Sequence, residues 1–487
     1  MIYPQNFETK IGFDEIRDLL KQRCLSTLGK GKVDDMAFSS DANEIKEWIE
    51  QTREFRRIQD GADDFPLQYF FDVRDAIKRI RLENTHLEES ELFDLRRSLQ
   101  TINDIVRYLN RAEDKGEDVD PAPLYPALYR LTQDVATYPQ LVQGIDQLLD
   151  KFGHIRDNAS PELLNIRREL ARAESSVSKT LYSILRSAQS EGLVDKDVTP
   201  TLRDGRLVIP VMPGMKRKIS GIVHDESATG KTVFIEPSEV VEANNRIREL
   251  ESEERHEIIR ILTTFTNKVR PHSRDILESY SFLATIDFIR AKAELAKLTK
   301  AIEPEITDKP HVDWIQSRHP LLQLSLEKQG KKVVPLDIIL NNEKHILIIS
   351  GPNAGGKSVC LKTVGLLQYM VQCGLSIPIG DRSTVGIFDN VMIDIGDEQS
   401  LENDLSTYSS HLLNMKNMMR QANNKTIILI DEFGTGTEPQ IGGAIAEAVL
   451  EQFCNKGAWG VITTHYQNLK HFADSHEGVA NGAMLYD

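Results

Sequence analysis

The residues best suited to chemistry form a glycine-rich segment between an apolar run, 346–349, and a helix-compatible run, 359–370. Two glycines five positions apart are followed by lysine and serine, which is the spacing of a phosphate-binding loop. In such a loop, backbone N–H groups hold phosphate oxygens, the lysine contacts the terminal phosphates, and the serine hydroxyl binds Mg²⁺. The sequence therefore predicts an ATP site formed by Gly351, Pro352, Asn353, Ala354, Gly355, Gly356, Lys357 and Ser358.

A pair of carboxylates follows a second apolar run, 426–430. Asp431 is predicted to bind Mg²⁺ together with Ser358, and Glu432 is predicted to orient or deprotonate an attacking water. A strand that ends in two acidic residues can also be an ordinary strand end with solvated carboxylates. The position of the pair downstream of a phosphate loop favours the catalytic interpretation.

A third apolar run, 459–464, ends at His465, where an imidazole beside a terminal phosphate could sense hydrolysis. Between the phosphate loop and the carboxylates lies a polar segment, 394–411, that is rich in hydroxyl groups and contains Ser406 and Thr407. Its position indicates a nucleotide-sensing loop followed by a signature segment. Because such a segment usually completes the site of a second subunit, the sequence predicts a dimer.

The elements that must position these groups suggest three consecutive domains. Residues 1–157 are predicted to form an all-α core domain, because apolar residues recur at helical spacing. Residues 158–300 are predicted to form a long antiparallel helical arm with a small β clamp insert at about 195–237. Residues 301–487 alternate strands with helices, which predicts an α/β phosphate-loop head.

The arm is predicted from two long apolar seams. Ser160 and Pro161 are typical of a helix start, and the first seam continues to about Ser190. The second helix is predicted over 238–270, because Pro271 must end it. Between the helices, turn residues separate strand candidates at 206–212, 218–223 and 231–235.

The insert is mostly basic, and its candidates for nucleic-acid contact are Arg203, Arg206, Lys216, Arg217 and Lys218. A basic β tip can contact a phosphate backbone, whereas a solvated turn is equally compatible with these charges. Two partial motifs in the insert are rejected. Gly230–Thr232 ends like a phosphate loop, but Asp225 replaces its first glycine, and Phe234–Glu236 matches a mismatch-reading tripeptide over only three residues.

The bulk composition is that of a globular protein with no membrane partner. The net charge of −15 over 487 residues argues against indiscriminate nucleic-acid binding but allows a local basic surface. The four cysteines form no metal-binding spacing, and the first residues lack the pattern of a signal peptide. A reduced, cytoplasmic setting is therefore expected.

Several strings together resemble the MutS family of ATPases. They are Ser317–Leu322, Val334–Ile338, Gly351–Ser358, Asp431–Thr437 and Thr464–His465. A further set is similar to the second bacterial MutS subfamily, which lacks the mismatch-recognition domain. It comprises Ile222–Gly230, Ile235–Pro237, Ile395–Ser400, Leu405–His411 and Thr464–Lys470.

The resemblance implies a core, a lever-and-clamp arm and an ABC-superfamily ATPase head, arranged as a homodimer with two composite ATP sites. It also implies roles for individual residues. By this resemblance, Gly351–Ser358 bind the phosphates, and Ser358 and Asp431 bind Mg²⁺. Ser406 and Thr407 contact the γ-phosphate bound to the partner subunit. Glu432 is the catalytic base, and His465 is the sensor of the γ-phosphate. Full-length relatives continue into a nucleic-acid-binding segment and a small nuclease domain. Because this chain stops at Asp487, nuclease activity is not expected from it.

The leading functional hypothesis is an ATP-hydrolysing clamp that acts on branched or recombining DNA and suppresses recombination. One alternative is an ATPase that senses and splits stalled or collided ribosomes and contacts rRNA, and another is a mismatch-repair component. A structural coiled-coil DNA tether belongs to a different class. Motif order speaks against the tether, because its coil separates the two nucleotide motifs, whereas here both follow the arm.

Overall fold

The structure is a computed structural model, and it describes residues 1–61, 64–67, 70–113, 122–351, 356–396, 406–435 and 437–484. The helices are, in chain order, α1 (Phe7–Ile11), α2 (Phe13–Arg23), α3 (Thr27–Asp34), α4 (Ala42–Gln59), α5 (Arg74–Arg79), α6 (Glu89–Leu109), α7 (Pro126–Arg130), α8 (Pro139–Leu148), α9 (Pro161–Ser190), α10 (Ser238–Val269), α11 (Ser273–Thr299), α12 (Pro320–Lys328), α13 (Lys357–Gln372), α14 (Ser406–Gln421), α15 (Pro439–Asn455) and α16 (Gln467–Ser475).

The strands are, in chain order, β1 (Ile2–Tyr3), β2 (Ala112–Glu113), β3 (Ala122–Pro123), β4 (Thr201–Arg203), β5 (Arg206–Val211), β6 (Gly221–Glu226), β7 (Val233–Pro237), β8 (Glu305–Thr307), β9 (Val312–Ser317), β10 (Leu336–Leu340), β11 (Lys344–Ser350), β12 (Thr384–Gly386), β13 (Asn390–Asp394), β14 (Thr426–Ile430), β15 (Trp459–Thr463) and β16 (Gly478–Ala483).

The chain divides into two compact units. The first consists of Met1–Tyr69, Asp104–Val135 and Tyr280–Asp487, and the second of Phe70–Asn103 and Ala136–Ser279. Both units are built from separate stretches of the chain, whereas the sequence analysis predicts three consecutive domains. The boundaries of those three domains stay predictions.

A parallel sheet in the first unit has the strand order β1-β13-β14-β15-β11-β16. Its central strands are buried on both faces, which explains their continuous apolar sequences. In β14, for example, Ile427 and Leu429 pack in the core cluster that contains α13, while Ile428 and Ile430 pack in the cluster that contains α14 and α15. The predicted α/β architecture is therefore confirmed, and because the strands are parallel, their carboxyl ends lie along one side of the sheet.

The prediction of an all-helical N-terminal segment is wrong at its first residues. Ile2 and Tyr3 form strand β1, which pairs in parallel with β13 through Val391 and Met392. A two-residue strand has no sequence periodicity, so the pattern that predicted helices could not reveal it. Ile2 and Tyr3 therefore form one edge of the sheet that carries the phosphate loop. The same segment also contributes the short antiparallel pair of β2 and β3.

The second unit contains the two long helices α9 and α10, which pack against each other. Ser160 caps α9 by accepting a hydrogen bond from the Leu163 backbone N–H at 3.0 Å, as its sequence predicts. Ser160 also contacts Glu257, and Arg167 forms an ion pair with Glu254. Since residue numbers rise along α9 as they fall along α10, the two helices run antiparallel.

Between these helices the chain forms an antiparallel sheet with the order β4-β5-β7-β6. Strands β5, β6 and β7 correspond to the three predicted strand candidates, and β4 was not predicted. Apolar side chains of β5 and β7 are buried together with those of α9 and the start of α10. The sheet therefore shares one core with the helix pair.

A second sheet of the first unit has the order β10-β9-β12-β8. Strands β8, β9 and β10 precede the phosphate loop in sequence, whereas β12 follows it. Among the described residues, no helix has both the length and the apolar character needed to cross a membrane.

Candidate nucleotide-binding site

The phosphate loop begins where β11 ends and finishes where α13 starts. Gly351 has φ of +144° and Gly356 has φ of +79°, which are backbone conformations that favour glycine. Gly356 is the N-cap of the 16-residue helix α13 and provides no side-chain cap. The N–H groups of the first turn are therefore available to an anion. Residues 352–355, which include the predicted contacts Pro352, Asn353, Ala354 and Gly355, lie outside the described residues.

Lys357 is the first residue of α13, and its side chain is buried at the site. Its ammonium donates a hydrogen bond to the Gly351 carbonyl and lies 3.3 Å from His465 Nε2. Burial lowers the pKa of Lys357, while the carboxylates of Asp431 and Glu432 act in the opposite direction. The structure therefore places a cation where the sequence predicts contact with terminal phosphates.

Asp431 and Glu432 immediately follow β14 and are held by a single threonine of β15. The Thr463 hydroxyl donates to Asp431 Oδ1 at 2.5 Å, and Thr463 Oγ1 accepts a hydrogen bond from the Glu432 backbone N–H at 2.8 Å. Glu432 has φ of +49°, a strained value for a residue with a side chain. Thr463 therefore holds the carboxylate of Asp431 and the backbone of Glu432. The sequence analysis did not single out Thr463, because a threonine inside an apolar strand gives no signal of its own.

His465 lies just beyond β15, in a turn that neighbouring strand ends hold in place. The Thr464 backbone N–H donates to the Ile349 carbonyl at 3.2 Å, and its hydroxyl donates to the Phe433 carbonyl at 3.3 Å. These bonds attach the turn to the ends of both β11 and β14. The imidazole is therefore brought to Lys357 from a strand 108 residues away in sequence. Its predicted contact with a terminal phosphate stays a prediction.

Ser358 is exposed at the second position of α13, and Asp431 is half-buried at the end of β14. Among the described residues, no group of three or more His, Cys, Asp or Glu side chains could hold a metal by itself. Mg²⁺ at a nucleotide keeps several waters and takes oxygens from phosphates and only one or two side chains. A hydroxyl and a carboxylate are suitable ligands of that kind.

The predicted signature residues Ser406 and Thr407 occupy the first turn of α14. Their side chains lie outside the described residues, as does the preceding stretch 397–405. Their proposed contact with a second subunit stays a prediction.

His319, which belongs to one of the family-like strings, has a structural contact. Its Nδ1 accepts the Leu322 backbone N–H and so caps α12. Burial, together with the nearby positive charge of Lys362, lowers the pKa of His319 to about 4. The imidazole is therefore neutral at physiological pH and can keep its role as a hydrogen-bond acceptor.

The five basic candidates of the second unit are in different environments. Arg203 stacks on the Phe234 ring at 4.3 Å, and Arg206 forms a 2.8 Å ion pair with the fully buried carboxylate of Glu236. Glu236 also accepts a hydrogen bond from Asn244 at 2.7 Å. The Arg206 guanidinium is thus held in a hydrogen-bonded network within the unit. The burial of Glu236 agrees with our rejection of Phe234–Glu236 as a mismatch-reading tripeptide.

The remaining candidates, Lys216, Arg217 and Lys218, are exposed in the connection between β5 and β6. No hydrogen bond or ion pair joins their side chains to another described residue. Arg203 is exposed as well, but it is stacked on Phe234, so these three are the predicted nucleic-acid residues that are exposed and make no side-chain contact of this kind with a described residue.

A parallel sheet with a phosphate loop after one strand, paired carboxylates after a second and a histidine after the strand between them defines a phosphate-loop nucleotide-binding domain. Residues 347–486 match the family model described as MutS domain V, which belongs to an ATPase family.

Comparison with curated proteins extends the similarity to nearly the whole chain. The chain is 36% identical over 483 residues to Endonuclease MutS2 of Enterococcus faecalis, and 38% identical over 475 residues to Endonuclease MutS2 of a Geobacillus species. These alignments cover 99% and 98% of this chain and 59% of each relative. The chain therefore belongs to the MutS family and is of the MutS2 type. It spans about three fifths of the length of the relatives it matches.

Proposed function

We propose that the chain hydrolyses ATP and that, as a homodimer, it acts as a clamp on branched or recombining DNA without reading mismatches. The observation that carries the proposal is the meeting of Lys357, Asp431, Glu432 and His465 at one edge of the parallel sheet. They arise from three strands, and their arrangement combines a cation for phosphates with a metal-binding carboxylate and a candidate base.

Each residue has a separate chemical task in hydrolysis. The Lys357 ammonium neutralises charge on the terminal phosphates, and the first turn of α13 provides N–H groups to their oxygens. Ser358 and Asp431 would hold Mg²⁺, which would neutralise charge on the phosphate oxygens. Glu432 accepts a proton from the attacking water, and His465 contacts the γ-phosphate. Thr463 positions Asp431 and Glu432 together, so that metal binding and proton transfer share one rigid support.

The dimer is proposed because one chain provides only part of such a site. Ser406 and Thr407, at the start of α14, are proposed to contact the γ-phosphate bound to the second subunit. Dimerisation and DNA binding are properties of the MutS family, which supports this assignment. The helix pair α9–α10 and the β4–β7 sheet are proposed to serve as the lever and the clamp.

The proposed DNA contact is the basic connection between β5 and β6, Lys216–Lys218. Neutralising all three residues with glutamine is expected to weaken binding to branched DNA and to reduce the slope of log K against log salt by about two to three. Each lost phosphate contact removes about 0.9 from that slope, because one fewer counterion is released. Fluorescence anisotropy between 50 and 200 mM salt, roughly the range over which such slopes are measured, provides the test.

The matched control neutralises Lys328, Lys331 and Lys332, which are also exposed, lie in the first unit, and change the net charge by the same amount. If both triple variants reduce the slope equally, overall charge explains the effect. If the Lys216–Lys218 variant leaves the slope unchanged, the connection has only a structural role.

The choice of DNA as substrate is tested by presenting several polymers to the same protein. We expect branched DNA to bind more tightly than homoduplex or mismatched DNA, and to change the rate of ATP turnover. The panel should also contain stalled ribosomes, with and without ATP. Preferential binding to ribosomes would replace DNA by rRNA in the proposal, and preferential binding to mismatched duplex would make the chain a mismatch-repair component.

A further inference from the structure

A buried carboxylate lies beside the proposed catalytic pair and has no assigned role. Asp394 is the last residue of β13, and its side chain is only 2% exposed. One carboxylate oxygen accepts a hydrogen bond from His411 Nδ1 at 2.7 Å, and the other accepts one from Asn414 Nδ2 at 3.0 Å. Both donors belong to α14. Because a buried carboxylate is costly unless its oxygens are hydrogen-bonded, this helix and β13 are tied to each other in one arrangement.

The same network continues to the first strand of the sheet. The Tyr3 hydroxyl donates to Asn414 Oδ1 at 2.7 Å and accepts a hydrogen bond from Asn417 Nδ2 at 3.1 Å. Asn414 thus uses its amide nitrogen for Asp394 and its oxygen for Tyr3. Two strands and three positions on one face of α14 therefore hold the rotation and register of this helix.

Asp394 also contacts the catalytic strand through its backbone. Its carbonyl accepts the Asp431 N–H at 2.9 Å, so the residue that holds α14 also holds the proposed metal ligand. His411 lines a small cavity of about 10 Å³ together with Asp431, Glu432 and Thr435. This is the room that about one water molecule needs. The imidazole therefore borders the space beside the carboxylate that is proposed to act as the base.

We infer that Asp394 and His411 are positioning residues for ATP hydrolysis, which keep the helix that begins with Ser406 and Thr407 in a fixed register against Asp431 and Glu432. Neither residue is a catalytic residue, because each acts through another group. Loss of the pair leaves the phosphate loop intact but displaces α14 relative to the carboxylates. This inference rests on the proposed function, since it requires that the chain hydrolyse ATP.

The test compares two substitutions at one position. His411→Leu is similar in size but has no donor, and we expect kcat to fall about tenfold while the Kd for ATP changes less than about twofold, because small displacements of catalytic groups are costly to the chemical step. His411→Asn places an amide nitrogen near the position of Nδ1, and we expect it to recover kcat to within about threefold of the unsubstituted chain. Leu413→Ala, on the exposed face of α14, is the matched control and should match the unsubstituted chain.

Asn414→Leu removes the second donor to Asp394. We expect it to lower kcat while leaving the Kd for ATP nearly unchanged, as for His411→Leu, so it provides the same test if His411→Leu does not fold. An unchanged kcat in both donor-free variants overturns the inference, as does failure of His411→Asn to recover activity. The unsubstituted chain and Glu432→Gln are measured in parallel. Turnover of the unsubstituted chain no faster than that of Glu432→Gln overturns the proposed function and the inference together, whereas active protein with insensitive His411 variants overturns the inference alone.

Discussion

Replacing Glu432 with alanine is expected to slow ATP hydrolysis at least about a hundredfold while ATP binding is retained. The expected size is that of losing a positioned general base, which contributes about 10²–10⁴ to a rate. ATP affinity should persist because Lys357 and the first turn of α13, which are proposed to contact the phosphates, remain in place. Single-turnover hydrolysis and equilibrium nucleotide binding, measured on the same preparation, separate the two effects.

A slow Glu432→Ala variant could have lost either the catalytic base or the local structure around residue 432, and a second variant distinguishes the two. Glu432→Gln retains the size of the side chain and the backbone hydrogen bond to Thr463, so it removes only the base. Glu451→Ala removes an exposed carboxylate from α15 and is the matched control. Turnover close to normal in Glu432→Gln would remove Glu432 from the mechanism and leave the attacking water to be activated by another group.

Replacing Lys357 with alanine is expected to abolish measurable ATP binding. The ammonium is buried and lies close to the Gly351 carbonyl and to His465, so no other cation of α13 can take its place. Truncating one partner of a buried, hydrogen-bonded charge pair typically costs about 2–5 kcal/mol, which corresponds to a loss of affinity of roughly thirtyfold to several thousandfold. Titration with a fluorescent ATP analogue gives the dissociation constant directly.

Lys362→Ala is the matched control, because Lys362 lies on the same helix and its removal changes the net charge equally. We expect this control to bind ATP within about threefold of the unsubstituted chain, since a charge outside the loop acts only through screened interactions. Normal ATP affinity in Lys357→Ala would refute the assignment of the phosphate loop.

The two variants together separate ATP binding from ATP hydrolysis. Lys357→Ala should lose both binding and turnover, whereas Glu432→Ala should lose turnover alone. A nucleotide-bound but slowly hydrolysing protein is also the form in which a contact from Ser406 and Thr407 of a second subunit can be sought, by measuring whether ATP stabilises the dimer.

Much of the fold was predictable where the signal was local. The strand before Asp431 was predicted over 426–430 and is found there, because a short, fully buried strand is a continuous apolar run bounded by polar residues. The helix after the phosphate loop, the capped start of α9 and the end of α10 before Pro271 were also predicted correctly. Each depends on spacing or on a capping or helix-ending residue within a few positions.

The misses involve contacts between distant parts of the chain. Strand β1 is two residues long, and it forms because it can pair with β13. The sequence of residues 1–3 is too short to show a periodicity that would predict this strand. Arg206 was predicted to contact nucleic acid from its charge and its place in a basic insert, yet its guanidinium is paired with Glu236. Composition shows which charges are present, but not which of them are neutralised within the fold.

By itself, the sequence determined the chemical groups of the site and the elements that carry them: the phosphate loop with Lys357, the carboxylates after β14, and His465 after β15. These are local properties, set by residue type and spacing along a few turns of chain. Only the tertiary structure decided their neighbours. The strand order β14-β15-β11 brings His465 to Lys357 and lets Thr463 hold the Asp431 carboxylate and the Glu432 backbone. The packing of α14 on β13 makes Asp394 a buried acceptor. These contacts depend on which distant strands and helices pack together. That packing is determined by the burial of the apolar faces of complete strands and helices, and not by any short stretch of residues.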